Sequence, residues 1–146
     1  MRWWVLLIIP IILIFPYLTT AQAKPIMDLT KAVIHHTAGS KETDRDLTAD
    51  EIDRYHKDRG WDCIGYHYVI RKNGDICEGR PLTKQGAHAK GRNHYVGIAL
   101  TGYDEFTQAQ ITSLKKLIKQ LKITHIEPHH EQCPGPGLNL KEVFYD

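Results

Sequence analysis

The sequence has few cysteines and lacks the basic runs, repeats and linkers that characterise several other classes of protein. Its 146 residues include only three cysteines, Cys63, Cys77 and Cys133, so at least one has no partner within the chain. No run of more than two basic residues occurs, which argues against a nucleic-acid partner held through its phosphates. No internal repeat or low-complexity linker interrupts a length that suits one domain. We therefore expect a single domain, by default a monomer, with no nucleic-acid partner.

The one long apolar run stands at the N-terminus, at 3–15, after a single positive residue. It is followed by a polar stretch and a small-x-small triplet, Ala-Gln-Ala, that ends at Ala23. This order predicts a secretory signal peptide at 1–23, cleaved after Ala23, and an exported domain at 24–146 that is periplasmic or secreted. The alternative is an uncleaved membrane anchor. It is disfavoured because the run is shorter than the roughly 20 residues of a spanning helix and is interrupted by Pro10. After cleavage we expect no stable membrane association.

Strand and helix patterns are mixed along the rest of the chain. The β-branched, apolar run at 31–36 predicts a strand. Two strand-like runs, 64–71 and 75–80, flank Asn73-Gly74, which predicts a hairpin with a type I′ turn. The other predicted elements are a helix at 48–59, a strand at 95–101, a helix after Thr107, a strand at 123–127 and a short helix within 138–145. These elements predict a single α/β domain with a small mixed central β-sheet flanked by helices.

The first predicted helix has a clear start and a clear inner face. Thr48 and Glu51 have the spacing of a capping box, in which each side chain bonds the other residue's backbone. Ile52, Tyr55 and His56 follow at helical spacing. We therefore expect these three side chains to face the core.

Nine histidines are many for this length, and several are paired or stand close to a cysteine. His35-His36 and His129-His130 are pairs, and Cys133 follows His129 by four positions. Imidazole and thiolate are the ligands that zinc prefers, and a catalytic zinc site uses three protein ligands and an open position. His35, His129 and Cys133 would supply three. The alternative is that the paired histidines make ordinary hydrogen bonds at the surface or in the core.

Several short segments occur in an order that carries more information than any one of them. They are VIHHTA at 33–38, GW at 60–61, IGYHYVI at 64–70, NG at 73–74, EGRP at 78–81, GAHA at 86–89, Asn93, VGIAL at 96–100, PHH at 128–130 and CPG at 133–135. Together they resemble the zinc-dependent N-acetylmuramoyl-L-alanine amidases, the family of the bacteriophage lysozyme-type amidases and the peptidoglycan recognition proteins. The resemblance covers nearly all of the exported part.

The resemblance implies an amidase/peptidoglycan-recognition-protein-like fold, a Zn²⁺ cofactor, and peptidoglycan or its soluble muropeptides as the partner. It points to His35, His129 and Cys133 as the zinc ligands. The implied reaction is hydrolysis of the amide bond between N-acetylmuramic acid and L-alanine. This chemistry agrees with the residues, because zinc lowers the pKa of its bound water to about 7 and makes hydroxide available at neutral pH.

The same resemblance implies further site residues. Tyr66 matches a tyrosine that aids catalysis, and a phenol near zinc can donate a hydrogen bond to the tetrahedral oxyanion or steer the water. His88 and Asn93 match positions that line the substrate groove. His36 is a further candidate for substrate contact, although strand alternation turns it away from His35. By the same alternation, His67 faces away from Tyr66 and is expected to be a core histidine.

The sequence departs from the family in the short loop between His129 and Cys133. Many relatives have a lysine, threonine or arginine two residues before the last ligand, where it is thought to stabilise the transition state. Here that position is Glu131. A carboxylate cannot stabilise an oxyanion but can act as a general acid or base, so Glu131, His130 or no residue fills the second catalytic role. The alternative function is therefore a non-catalytic peptidoglycan-binding protein with the same groove; the presence of all three ligands and Tyr66 favours the enzyme.

The state of the two remaining cysteines is left open by the sequence. With Cys133 as a ligand, Cys63 and Cys77 form either a disulfide or two free thiols. A type I′ hairpin would place Cys77 opposite Ile70, so a disulfide would need Cys63 to fold back beside the hairpin.

A further alternative function, a zinc protease, is disfavoured because no His-Glu-x-x-His pattern occurs.

Overall fold

The computed structural model describes residues 26–38 and 40–145, and the predicted signal peptide lies outside these residues. Within the described ranges no helix is both long enough and apolar enough to cross a membrane. The strands are β1 (Asp28–His36), β2 (Tyr68–Ile70), β3 (Ile76–Glu78), β4 (Tyr95–Leu100) and β5 (His125–Pro128). The helices are α1 (Ala49–Asp58), α2 (Gln108–Leu121) and α3 (Leu140–Tyr145).

The five strands form one mixed sheet in the order β3-β2-β4-β1-β5. β1 lies parallel to both β4 and β5, and β2 lies parallel to β4, whereas β3 pairs with β2 in the antiparallel direction. Parallel strands need long crossover connections. α1 lies in the connection from β1 to β2, and α2 lies in the connection from β4 to β5. The predicted α/β domain with a small mixed sheet is confirmed.

Helices cover the sheet on both faces. On one face, Ile34 of β1 packs in a core with Leu114 of α2, and α3 adds to the same core. On the other face, Val69 of β2 packs with Ile52 of α1. Because successive side chains of a strand point to opposite faces, His35 lies on the α1 face when Ile34 lies on the α2 face. The larger core, with α2 and α3, thus packs against one face of the sheet, and the α1 face is left to carry polar side chains such as His35.

The start of α1 is as predicted, but its inner face is narrower. Thr48 accepts a hydrogen bond from the backbone N–H of Glu51 at 3.2 Å, and the Glu51 carboxylate accepts from the N–H of Thr48 at 2.7 Å. Ile52 and His56 are buried, whereas Tyr55 is 42% exposed, so the prediction for Tyr55 is wrong. Tyr55 instead lines a cleft on this side of the protein.

The hairpin between β2 and β3 forms around Asn73-Gly74, but its turn differs from the prediction. The N–H of Gly74 donates to the carbonyl of Arg71 at 2.8 Å, and only Gly74 of the two turn residues has a positive φ, of 90°. This is a four-residue turn that ends in the left-handed Gly74, and it forms a three-residue type of hairpin loop rather than a type I′ turn. The extra residue shifts the register by one, so Cys77 pairs with Val69 instead of Ile70.

All three cysteines lie in the described residues and are free thiols. Cys63 and Cys77 are both half-buried, and Cys77 packs against the small core of Val69 on the α1 face. Of the two alternatives for this pair, the structure therefore has the two thiols.

Candidate metal centre and active site

The parallel pairing of β1 and β5 brings two of the predicted ligands side by side. His35 stands near the end of β1 and is 1% exposed. His129 follows β5 directly, and its backbone N–H donates to the carbonyl of Ile34 at 3.1 Å. The ring centroids of His35 and His129 are therefore only 4.5 Å apart.

A tight turn returns the third predicted ligand to the same place. The N–H of Cys133 donates to the carbonyl of His130 at 2.9 Å, and the N–H of His130 donates to the carbonyl of Cys133 at 3.1 Å. The Cys133 Sγ accepts from the N–H of His36 at 3.4 Å. As a result, one ligand atom from each of His35, His129 and Cys133 lies within 4.8 Å of the others. The three residues between His129 and Cys133 are thus enough to bring the thiol back to the histidines.

The ionisation of this cluster suits a metal cation. Burial, followed by the neighbouring His88 and His129, lowers the pKa of His35 to about 2. Burial also lowers the pKa of His129, with His130 as the next cause. Both rings are therefore neutral at neutral pH and each keeps a lone pair for a metal. Burial raises the pKa of the Cys133 thiol, which a bound cation would reverse. Two neutral imidazoles and a sulfur are a donor set that zinc prefers.

Tyr66 lies beside this cluster, in an irregular segment two residues before β2 rather than inside a strand as predicted. Its backbone is nevertheless fixed, because its carbonyl accepts from the N–H of Arg80 at 2.8 Å. Its ring centroid is 5.0 Å from that of His35. Burial raises the pKa of Tyr66 to about 12, and the thiol of Cys133 adds to the shift, so the phenol stays protonated and can donate.

A cleft of about 370 Å³ opens next to Tyr66. Two arginines, Arg45 and Arg59, line it and give it positive charge. The other lining residues are Thr37, Thr43, Leu47, Ile52, Tyr55 and His56. Tyr66 thus stands between the histidine-cysteine cluster and a space that is open to a ligand.

His88, predicted to line the substrate groove, contacts a predicted metal ligand directly. Its Nδ1 is 3.0 Å from the Nε2 of His35, and its Nε2 is 3.2 Å from the carbonyl oxygen of Tyr95. Burial lowers the pKa of His88 to about 4, although the Tyr95 carbonyl acts in the other direction. The ring is partly exposed and also lines a shallow pocket with Trp61 and Lys90. His88 therefore faces both the cluster and the surface.

His67 is the core histidine that its place in the sequence predicts. It is 1% exposed; its Nδ1 accepts from the N–H of Gly97 at 2.9 Å, and its Nε2 is 3.0 Å from the carbonyl oxygen of Lys84. Both nitrogens are thus used inside the protein, and neither is left for a ligand.

The other predicted groove residues have different surroundings. Asn93 Oδ1 accepts from the N–H groups of His88 and Ala89, each at 2.9 Å, so this side chain shapes its own loop. His36 is half-buried; its Nε2 is 3.0 Å from the carbonyl oxygen of Gln132. The structure keeps His36 close to the loop that carries Cys133.

Glu131, the candidate for the second catalytic role, is not among the residues that line Tyr66's cleft. It is exposed and lines a separate groove next to β5 and α3, together with His125 and Phe144. The second catalytic role stays open among Glu131, His130 and no residue.

One residue of the site has no signal in the sequence. Arg92 donates from Nη2 to the carbonyl of His129 at 2.5 Å and from Nη1 to the carbonyl of Pro128 at 3.0 Å. It also pairs with the carboxylate of Glu127 at 2.8 Å. More than thirty positions separate Arg92 from these partners, and no local pattern predicts the contact. Its position next to Asn93, within a segment of family-like motifs, is the only hint.

Comparison with known proteins places this arrangement in a family. Residues 25–136 match the family described as N-acetylmuramoyl-L-alanine amidase. The chain belongs to this family. The membership confirms the predicted amidase activity, and the solved structures confirm the predicted amidase-like fold.

Individual relatives agree with the amidase family. The endolysin of Escherichia phage T7 is 34% identical over 127 residues, covering 77% of this chain and 83% of the phage protein. Peptidoglycan-recognition protein SC1a of Drosophila melanogaster is 36% identical over 126 residues, covering 73% of this chain and 68% of the fly protein. The solved structure of N-acetylmuramoyl-L-alanine amidase LysC from Clostridium intestinale has a TM-score of 0.70 and 36% identity, covering 82% of this chain and 85% of LysC.

Proposed function

We propose that this amidase hydrolyses the bond between N-acetylmuramic acid and L-alanine in peptidoglycan, with zinc held by His35, His129 and Cys133. The observation that carries the proposal is the convergence of these three side chains within 4.8 Å, two of them neutral histidines. Zinc bound there would supply a water that ionises near neutral pH and a Lewis acid for the carbonyl of the substrate. A site with three protein ligands would suit this chemistry.

Tyr66 is the proposed hydrogen-bond donor to the substrate. Its hydroxyl stays protonated because burial raises its pKa to about 12, and its ring lies 5.0 Å from that of His35. A donor held in place before the reaction stabilises negative charge as it develops on the carbonyl oxygen. The hydrogen bond from the Arg80 N–H to the Tyr66 carbonyl fixes the backbone that carries this phenol.

The cleft beside Tyr66 is the proposed place for the peptide part of the substrate. Arg45 and Arg59 line it, and their charges suit the carboxylates of a peptide stem. The shallow pocket lined by Trp61 and His88 is the proposed place for sugar. His36 and Asn93 contribute through loops: His36 contacts the loop that carries Cys133, and Asn93 shapes the loop that carries His88.

We propose that the amidase acts outside the cytoplasm, in the periplasm or after secretion. Support comes from the order of charges, apolar residues and small residues at 1–23, which is typical of a cleaved signal peptide.

A digest of purified peptidoglycan, read by mass spectrometry with and without a zinc chelator, tests the proposal. We expect free stem peptides that begin with L-alanine, lost on chelation and regained with added zinc. His35→Ala is expected to release none. The matched control is His125→Ala, an exposed histidine of β5. Muropeptides that bind to a zinc-loaded protein without release of peptide would instead favour the alternative, a binding protein with the same groove.

A further inference from the structure

We infer that the loop 86–93 is a positioning element for the metal centre, in which His88 orients the ring of His35 and Arg92 holds the backbone of His129. The inference rests on the proposed zinc site and deepens it. It assigns to this loop a role beyond contact with substrate. Two of the three ligands would then depend on one loop that is remote from both of them in sequence.

The imidazole of His88 is tightly held. Its backbone N–H is bonded to Asn93 Oδ1 at 2.9 Å, and the N–H of Gly86 closes the loop on the carbonyl of Asn93 at 2.8 Å. A Cβ added at Gly86 or Gly97 would lie 2.3 or 2.4 Å from Cδ2 of His88. The ring therefore fills a slot that exists because both neighbours are glycine.

The hydrogen-bond partners fix which nitrogen of each ring carries the proton. The carbonyl of Tyr95 can only accept, so the Nε2 of His88, at 3.2 Å, carries the hydrogen. The Nδ1 of the neutral His88 ring must then accept, and the Nε2 of His35, at 3.0 Å, donates to it. This leaves the Nδ1 of His35 with the free lone pair. A second residue that bonds the remote nitrogen of a metal-bound histidine fixes its tautomer and raises its basicity.

Arg92 acts on the other histidine through the backbone. Its guanidinium donates to the carbonyl groups of Pro128 and His129, and the carboxylate of Glu127 fixes the same guanidinium at 2.8 Å. The three acceptors are consecutive residues at the end of β5. The fork of Arg92 thus sets the direction in which the chain leaves the strand, and with it the position of the His129 side chain.

Zinc affinity, measured by competition with a chromophoric chelator on the purified protein, tests the role of His88. Leucine and asparagine have nearly the same shape, but only asparagine offers an oxygen near the place of the His88 Nδ1. We expect His88→Leu to weaken zinc binding about 10- to 100-fold, and His88→Asn to restore it to within about threefold of the wild type. The visible spectrum of the Co²⁺-loaded protein is expected to shift in His88→Leu and to return in His88→Asn. Unfolding of the metal-free proteins controls for loss of fold.

Arg92→Met and Glu127→Gln form the second arm, which decides the question should His88→Leu fail to fold. Arg92→Met removes the bonds to the two carbonyls and is expected to weaken zinc binding at least fivefold. Glu127→Gln leaves those bonds in place and is expected to change it less than twofold. Zinc affinity within threefold of the wild type in both His88→Leu and Arg92→Met overturns the inference while the proposed function stands. A wild-type protein that binds no zinc overturns both.

Discussion

Replacing Tyr66 with phenylalanine removes one oxygen atom from the site and leaves the ring that packs 5.0 Å from His35. Because burial raises the pKa of Tyr66 to about 12, the wild-type hydroxyl is a donor at every pH at which the domain is studied. The loss of one preorganised donor to a developing oxyanion lowers kcat about 100- to 1,000-fold, or about 2.7–4 kcal/mol. We expect Tyr66→Phe to fall in this range.

The assay is the initial rate of L-alanine-terminated peptide release from a soluble muropeptide, with zinc content measured on the same sample. Zinc content and the melting temperature are expected to stay at the wild-type values, because the proposed ligands are His35, His129 and Cys133 and the hydroxyl is not one of them. Tyr68→Phe is the matched control, since it removes the same atom from a tyrosine that packs on the opposite core. A Tyr66→Phe protein that retains more than a third of the wild-type kcat would refute the assignment of Tyr66 as the donor.

Two further predictions concern the scaffold. Gln110 is fully buried and donates to the carbonyls of Ile70 and Thr101. Gln110→Leu is expected to lower the free energy of unfolding by about 2–4 kcal/mol, because two buried acceptors lose their donor. Denaturant unfolding measures this change, and a loss no larger than that of the exposed control Gln108→Leu contradicts it. For Asp46, burial acts to raise the pKa, but hydrogen bonds from the Lys72 N–H and the Thr101 hydroxyl, together with Arg71, lower it overall. Because the folded pKa lies below the unfolded one, the stability that this carboxylate contributes is present above about pH 4 and is lost as the pH falls through the folded pKa. Asp46→Asn is therefore expected to be less stable than the wild type at pH 7 and to lose less stability on acidification to pH 3. Thermal melts across this pH range measure both effects. An equal dependence of the melting temperature on pH in the two proteins contradicts the prediction.

Local patterns in the sequence predict the elements of the fold well, and long-range geometry limits the rest. The capping box at Thr48 works within four residues, so sequence alone identifies it. The predicted register of the β2–β3 hairpin is wrong by one residue. Asn73-Gly74 is compatible with more than one type of turn, and the contacts of the whole loop decide which type forms. Tyr55 has the right helical spacing for the core, yet burial depends on how much sheet lies beneath α1.

The site shows the same division. The sequence singles out His35, His129 and Cys133 by residue type and by resemblance, and the β1–β5 pairing brings them together. The contacts of His88 and Arg92 with these ligands were not predicted, because they join residues that are 53 and 37 positions apart. No periodicity or motif encodes such contacts; they follow from the way in which the loop 86–93 returns across the sheet.

The central claim is that the amidase depends on one zinc ion at the cluster of His35, His129 and Cys133. The most direct measurement is a titration of the metal-free protein with zinc, in which bound metal and the rate of peptide release from peptidoglycan are recorded together. We expect no peptide release without metal. Bound metal and the rate of release are expected to rise linearly with added zinc and to reach a plateau at one equivalent. Cys133→Ala is expected to show neither zinc binding nor peptide release. Peptide release by the metal-free protein, or a plateau that Cys133→Ala also reaches, would contradict it.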